Sequence, residues 1–267
     1  MADWPASLLI VGCGNMGGAM LAGWLAGGLA PACLTVVDPF LEAAPAGVTL
    51  LRELPETRFE AILLGVKPQM LGEIAPKVAA LAGKDVLVLS ILAGVELDSL
   101  AVHFPQASGL VRIMPNLSAA IGRSPVALAH RGLTGEQQVD VSQLMAPLGS
   151  PEWIDESQFD LVTALAGSGP AFVYRFIDAL ASGAAALGFD PGQAGRLALA
   201  TVEGASLLAA GSQFAPGELA RRVASPGGTT QAGLDVLDAD AALARLITAT
   251  LKAASDRSAE MAREARG

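Results

Sequence analysis

At 267 residues with a formal net charge of -9, the chain is long enough for one large or two ordinary domains and too acidic for a nucleic-acid binder. Its hydrophobic share of 52% against 16% charged and 4% aromatic residues raises a membrane reading, sharpened by the absence of any Asp, Glu, Lys or Arg between Asp3 and Asp38. Seven glycines and Pro31 inside that gap break it into short pieces, so no continuous apolar span is expected.

The opening Met1-Ala2-Asp3-Trp4-Pro5 carries an acid where a secretory leader carries bases, which points to a cytoplasmic protein. Cys13 and Cys33 are the only cysteines, read as free thiols in small apolar spaces, in keeping with a reducing compartment. His103 and His130 stand alone, so no metal site is expected.

In chain order, Leu8-Leu9-Ile10-Val11 is a short apolar run ending at Gly12, and Leu34-Thr35-Val36-Val37 a β-branched run ending at Asp38. Similar runs at Ala61 to Val66, Val86 to Ser90, Gly109 to Ile113 and Val126 to Ala129 alternate with helical spacing such as Met70 to Leu81. Strand alternating with helix predicts an α/β domain, an N-terminal doubly wound Rossmann-type parallel sheet over residues 1–154, with chemistry in the turns at the carboxyl ends of its strands.

After Trp153 the β-branched runs give way to alanine-rich stretches at Phe159 to Ala166, Pro170 to Leu187, Pro191 to Ala210, Pro216 to Val223 and Ala239 to Ala265. Pro170, Pro191 and Pro216 sit near helix starts, and Gly188 and Gly211 at helix stops. An all-helical C-terminal domain over 155–267 is predicted. Its segments, notably Ala179 to Leu187, are apolar nearly all round, so a subunit interface is the expected second partner and this a dimerisation domain.

Gly12-Cys13-Gly14-Asn15-Met16-Gly17 is a GxGxxG between a predicted strand and a predicted helix. In that context the first Gly permits the turn, the second lets backbone approach a pyrophosphate, and the third lets helix pack on strand, with the N–H groups at the helix start holding the anion. Asp38, 21 residues past Gly17, stands where a carboxylate accepts hydrogen bonds from an adenosine ribose; the alternative is a strand-end turn residue before Pro39. The next basic residue is Arg52 and Glu42 lies between, so NADH is favoured over NADPH.

Read with that turn, four more segments resemble the pyrroline-5-carboxylate reductase family. They are Gly65-Val66-Lys67-Pro68, Arg112-Ile113-Met114-Pro115-Asn116, Ala166-Gly167-Ser168-Gly169-Pro170-Ala171-Phe172, and Pro216 through Asp238 with Ser225-Pro226-Gly227-Gly228-Thr229-Thr230 at its centre. The departures are Ala166 where many members carry Ser, and Asp38 where many carry an uncharged or basic residue.

The resemblance implies hydride transfer from NADH or NADPH to the C=N carbon of 1-pyrroline-5-carboxylate, giving L-proline. It also implies a homodimer, or a higher homo-oligomer, in which the Ser225 to Thr230 turn of one chain completes a site beside the cofactor domain of the other. Val66, Lys67, Pro68 and Asn116 fall on cofactor-side loops, with a turn role as the alternative for Asn116.

A cyclic imine is largely protonated near neutral pH, so such a site mainly holds a carboxylate, orients a ring and excludes water. Ser225, Gly228, Thr229 and Thr230 offer consecutive N–H groups and hydroxyls for the carboxylate. Thr230 is the candidate for a hydrogen bond to the ring nitrogen, its alternative being a cap of the following helix. Two other functions compete. A β-hydroxyacid dehydrogenase requires a catalytic lysine in the second half, where the first lysine is Lys252. A catalytically silent dinucleotide-binding regulator has no use for the Ser225 to Thr230 turn.

Overall fold

A computed structural model of the chain describes residues 4–266, with side chains through 263. Met1 to Asp3, on which the leader reading and the near edge of the charge gap rest, lie outside the described residues.

Eight strands form one sheet: β1 (Leu8–Val11), β2 (Leu34–Val37), β3 (Thr49–Leu51), β4 (Ala61–Leu64), β5 (Leu87–Ser90), β6 (Gly109–Met114), β7 (Ser124–Arg131) and β8 (Gly149–Trp153). Their order is β3-β2-β1-β4-β5-β6-β7-β8. The first six pair in parallel; β7 runs antiparallel to β6, and β8 parallel to β7. The helices of this part are α1 (Asn15–Ala26), α2 (Leu71–Ala79), α3 (Leu97–His103) and α4 (Gly135–Met145).

The central strands β1 and β4 are apolar and buried at every position because both faces of the sheet are covered. Leu8, Ile10, Leu63, Leu89 and Val111 pack with Met20 and Trp24 of α1 and with Val141, Leu144 and Met145 of α4. Leu9, Val11, Ile62, Leu64 and Val88 pack with Ala75 and Val78 of α2 and with Leu97 and Leu100 of α3. The charge gap resolves into β1, a turn, α1 and β2; α1 stops at Ala26 and Gly28 turns the chain at φ +91°. Among the described residues no helix is long and apolar enough to cross a membrane.

Four elements were not legible as periodic runs. The edge strand β3 has three residues, one of them exposed, and β8 contains Pro151, which an edge strand tolerates. Helix α3 is only seven residues long. The signal for α4 was a capping box, in which Thr134 and Gln137 bond each other's backbone, and not an apolar stripe. The run from Ala61 ends as a strand at Leu64, which releases Gly65 and Val66 into the following turn.

After β8 come α5 (Phe159–Val162), a single π-helical turn (Thr163–Gly167), α6 (Gly169–Ala186), α7 (Pro191–Ala210), α8 (Pro216–Val223), α9 (Thr229–Asp238) and α10 (Ala242–Arg266). Pro170, Pro191 and Pro216 occupy first-turn positions, Gly211 caps α7, and Gly188 follows α6 at φ +116°.

The described residues up to Gly167, with those from Ala254 onward, make one compact unit, and Ser168–Ala253 a second. In the first unit Ser258 Oγ donates to Asp160 Oδ1 at 2.7 Å and Ala262 is buried. In the second, α6 packs on α7, yet the only buried apolar residues are Ala194 and Ala198. Tyr174, Phe176, Leu208 and Leu246 remain between 50% and 77% exposed, an apolar surface well beyond what scattered single residues produce.

Candidate active site

The sheet reverses its winding between β1 and β4, and the crevice of such a sheet lies at the carboxyl ends of these two strands. The glycine turn after β1 stands there, and its three glycines meet three different constraints. Gly12 has φ +85°, and a Cβ on it would lie 2.8 Å from the Val66 nitrogen; a Cβ on Gly17 would lie 3.0 Å from the Gly12 carbonyl oxygen. A Cβ on Gly14 would meet nothing within 4 Å, so the backbone there faces open space. Gly14 is also the N-cap of α1 and no side chain caps that end, which leaves the first-turn N–H groups of Asn15, Met16 and Gly17 directed at that space. This is the cradle a pyrophosphate requires, and the residues fit a dinucleotide.

Asp38 follows β2 directly. Its Oδ2 accepts the Cys13 N–H at 2.8 Å, and its Oδ1 accepts the N–H groups of Phe40 at 2.8 Å and Leu41 at 3.1 Å. Burial pushes its pKa up, but these three bonds and the nearby Arg52 charge outweigh it and hold the carboxyl below its ordinary range. Burial, followed by the Asp38 charge, pushes the neighbouring Cys13 thiol up to about 11, so it stays protonated at neutral pH. Both cysteines are free.

Arg52, fourteen residues away in sequence, is the residue that sequence distance had discounted. It lies just past β3, which pairs with β2, and its Nη1 donates to the Asp38 carbonyl at 2.9 Å and to the Leu41 carbonyl at 2.5 Å. Pairing of β2 with an edge strand was the missing signal. A cleft of about 810 Å³ opens here, lined by Gly12, Val37, Pro39, Arg52 and Val66 among others.

Across the switch point, a Cβ on Gly65 would sit 2.5 Å from the Gly12 carbonyl oxygen, so the two turns touch through backbone. Val66 lines the cleft, Lys67 is exposed as the N-cap of a short 3-10 turn, and Pro68 begins that turn. Asn116, 5% exposed, uses its side chain internally: Oδ1 accepts the Ser118 N–H and Nδ2 donates to the Ala166 carbonyl, both at 2.9 Å. Those bonds give Asn116 the turn role and tie the end of β6 to the π-helical turn. Arg112, earlier on β6, is buried with its guanidinium 4.2 Å from the Phe159 ring centroid and 3.2 Å from Glu156 Oε1. Periodicity marked neither Phe159 nor Glu156 as its partner, because both lie in the helical segment after β8 and meet β6 only in the folded chain.

In the second unit, Ser225 to Thr230 forms a turn opening α9. Gly227 has φ +69°, the Gly228 N–H donates to the Ser225 carbonyl at 2.9 Å, and a Cβ on Gly228 would lie 2.4 Å from Ser225 Oγ. Gly228 is the N-cap of α9, with no side-chain cap. The hydroxyls of Ser225, Thr229 and Thr230 are exposed and form no hydrogen bond among the described residues, so Thr230 does not cap the helix. Three exposed hydroxyls and an uncapped helix N-terminus thus stand together on one turn.

A doubly wound sheet with a glycine turn at its switch point, followed by a helical unit, is the architecture of the Rossmann-fold class. Residues 156–261 match the family model described as pyrroline-5-carboxylate reductase dimerisation. The chain is 34% identical to pyrroline-5-carboxylate reductase of Pseudomonas aeruginosa, covering 96% of this chain and 97% of that one. It is 37% identical to the Aquifex aeolicus protein of the same name, over 86% and 88%. The solved structure of a pyrroline-5-carboxylate reductase from Coxiella burnetii superposes with a TM-score of 0.88 at 27% identity, covering 96% of this chain and 98% of that one. The chain belongs to the pyrroline-5-carboxylate reductase family, and it is an oxidoreductase of proline biosynthesis.

Proposed function

We propose that the chain reduces 1-pyrroline-5-carboxylate to L-proline in the cytoplasm as a homodimer, with residues 1–154 binding the dinucleotide and 155–267 serving dimerisation and substrate binding. The observation that carries the reading is the unspent turn from Ser225 to Thr230, a polar surface that a silent regulator does not need. When bound, the nicotinamide dinucleotide supplies a hydride from C4 of its ring. The protein's part is to hold and orient. Gly12, Gly14, Asn15, Met16 and Gly17 take the pyrophosphate, and Asp38 the ribose. Val66, Lys67 and Pro68 form the facing wall, and Asn116 keeps the end of β6 in register with the turn at Ala166.

Ser225, Gly228 and Thr229 hold the substrate carboxylate through N–H and hydroxyl groups, and Thr230 hydrogen-bonds the ring nitrogen, which is protonated before hydride arrives. No strong acid is required, in keeping with a turn that contains no titratable side chain. A steady-state assay with the five-membered imine and its six-membered homologue tests the substrate. Turnover of the five-membered ring supports the reading, and tight NADH binding without turnover of either ring overturns it.

Asp38 makes NADH the preferred cofactor, because a 2′-phosphate brought beside a carboxylate held ionised by three N–H groups is repelled. The expected result is a higher kcat/KM with NADH than with NADPH. A clear preference for NADPH removes Asp38 from this role.

The exposed apolar faces of α6 and α7 support a dimer whose helical units cover each other and in which one chain's Ser225 to Thr230 turn serves its partner's cofactor. Sedimentation is expected to show a dimer or larger assembly at micromolar concentration, and Tyr174→Glu with Leu208→Glu to shift it toward monomer with loss of activity. A wild-type monomer at all concentrations contradicts the assembly.

A further inference from the structure

Asp38 stands between Val37 and Pro39, which line the cleft together with Arg52, and Arg52 is hydrogen-bonded to the Asp38 carbonyl, so opposite charges meet at the turn after β2. The carboxylate has both oxygens engaged by backbone N–H groups and is rigid. The guanidinium holds two backbone carbonyls of the Asp38 to Leu41 turn through Nη1 alone, while its Nε and Nη2 donors have no partner among the described residues. Of the other charges lining the cleft, Lys77 is the second cation and Glu53, Glu56 and Glu73 are acids. Arg52 is therefore the cation fixed to the turn that follows β2, within a surround that is negative on balance.

We propose that Arg52 sets how strongly this enzyme discriminates between its two possible cofactors, anchoring the Asp38 turn with one nitrogen and presenting the rest of its fork to a 2′-phosphate. The inference rests on the dinucleotide reading of the Gly12 to Gly17 turn. A planar fork with unused N–H groups matches phosphate geometry, whereas a 2′-hydroxyl finds its acceptor in Asp38. The two residues act as opposing weights on one choice. Asp38 favours the hydroxyl, and Arg52 keeps the phosphate from being excluded.

The test is calorimetric binding of 5′-AMP and 2′,5′-ADP to the full-length wild type, Arg52→Ala, Arg52→Lys and Asp38→Asn, beside kcat/KM for NADH and NADPH. Arg52→Ala is expected to weaken 2′,5′-ADP by about tenfold or more, as for loss of a charge-assisted hydrogen bond, and 5′-AMP by less than about threefold. Arg52→Lys keeps part of the difference, Asp38→Asn gains affinity for 2′,5′-ADP, and added salt narrows every difference. Equal losses for both fragments in Arg52→Ala overturn the proposal, since Arg52 then only holds the turn, as does no change in either. If neither fragment nor either reduced cofactor binds the wild type, the dinucleotide reading itself has failed.

Discussion

Substituting Gly14 by alanine is expected to leave the fold standing while lowering dinucleotide affinity about a hundredfold, on the order of 3 kcal/mol. Gly14 has φ -71° and ψ -161°, which alanine adopts freely, and its Cβ would enter open space. The structural cost is confined to a poorer N-cap, about 1 kcal/mol, or a few degrees in Tm. The loss of binding has a separate cause: the new methyl stands where the pyrophosphate must approach the backbone.

Gly12→Ala is the contrast, since its φ is +85° and its Cβ would lie 2.8 Å from the Val66 nitrogen. Strain and overpacking together cost about 2–5 kcal/mol and should lower stability and binding alike. Thermal unfolding measured beside NADH fluorescence titration separates the two variants. An unchanged NADH affinity in a folded Gly14→Ala removes the turn from the cofactor site.

The second large effect is expected at Thr230. Its hydroxyl is exposed and caps nothing, so Thr230→Ala should change stability by no more than about 0.5 kcal/mol, as at ordinary surface sites. If the hydroxyl bonds the ring nitrogen of a charged imine, kcat/KM falls about 10- to 100-fold, the range of a hydrogen bond to a charged group. Thr230→Ser, which keeps the hydroxyl, restores most of it. A variant as active as wild type, or one that serine does not rescue, assigns the ring nitrogen to another group. Parallel Ser225→Ala and Thr229→Ala variants are expected to raise KM more than they lower kcat, since the role proposed for them is to bind a carboxylate that does not change in the reaction.

These expectations differ in how far the sequence alone supports them. The strands at Leu8, Leu34 and Leu87 are legible because a parallel sheet covered on both faces needs unbroken apolar runs, and the glycine spacing after the first marks the turn. The helical half is legible because proline and glycine punctuate it; α7 and α8 begin at the prolines that announce them. Elements that took their stability from partners were not. Strand β3 depends on pairing with β2, β8 on pairing with β7, and α4 begins with a hydrogen-bonded box whose residues are polar.

The candidate site divides the same way. That the glycines from Gly12 to Gly17 turn the chain into α1, that Asp38 follows β2 and that Ser225 to Thr230 opens a helix are local matters, decided by backbone freedom and hydrogen-bonding groups within a few residues. That Arg52 reaches the Asp38 turn depends on β3 pairing with β2, and that Asn116 spends its amide on Ala166 and Arg112 lies against Phe159 depends on how the segment after β8 packs on the end of β6. The sequence by itself determined the fold class, the family resemblance and the glycine-rich turns at Gly12 and Gly227, because short-range sterics and periodicity act along the chain. Tertiary structure alone decided which charges meet at the turn after β2, because electrostatic interactions depend on distance in space, and fourteen residues of chain can close to hydrogen-bonding range.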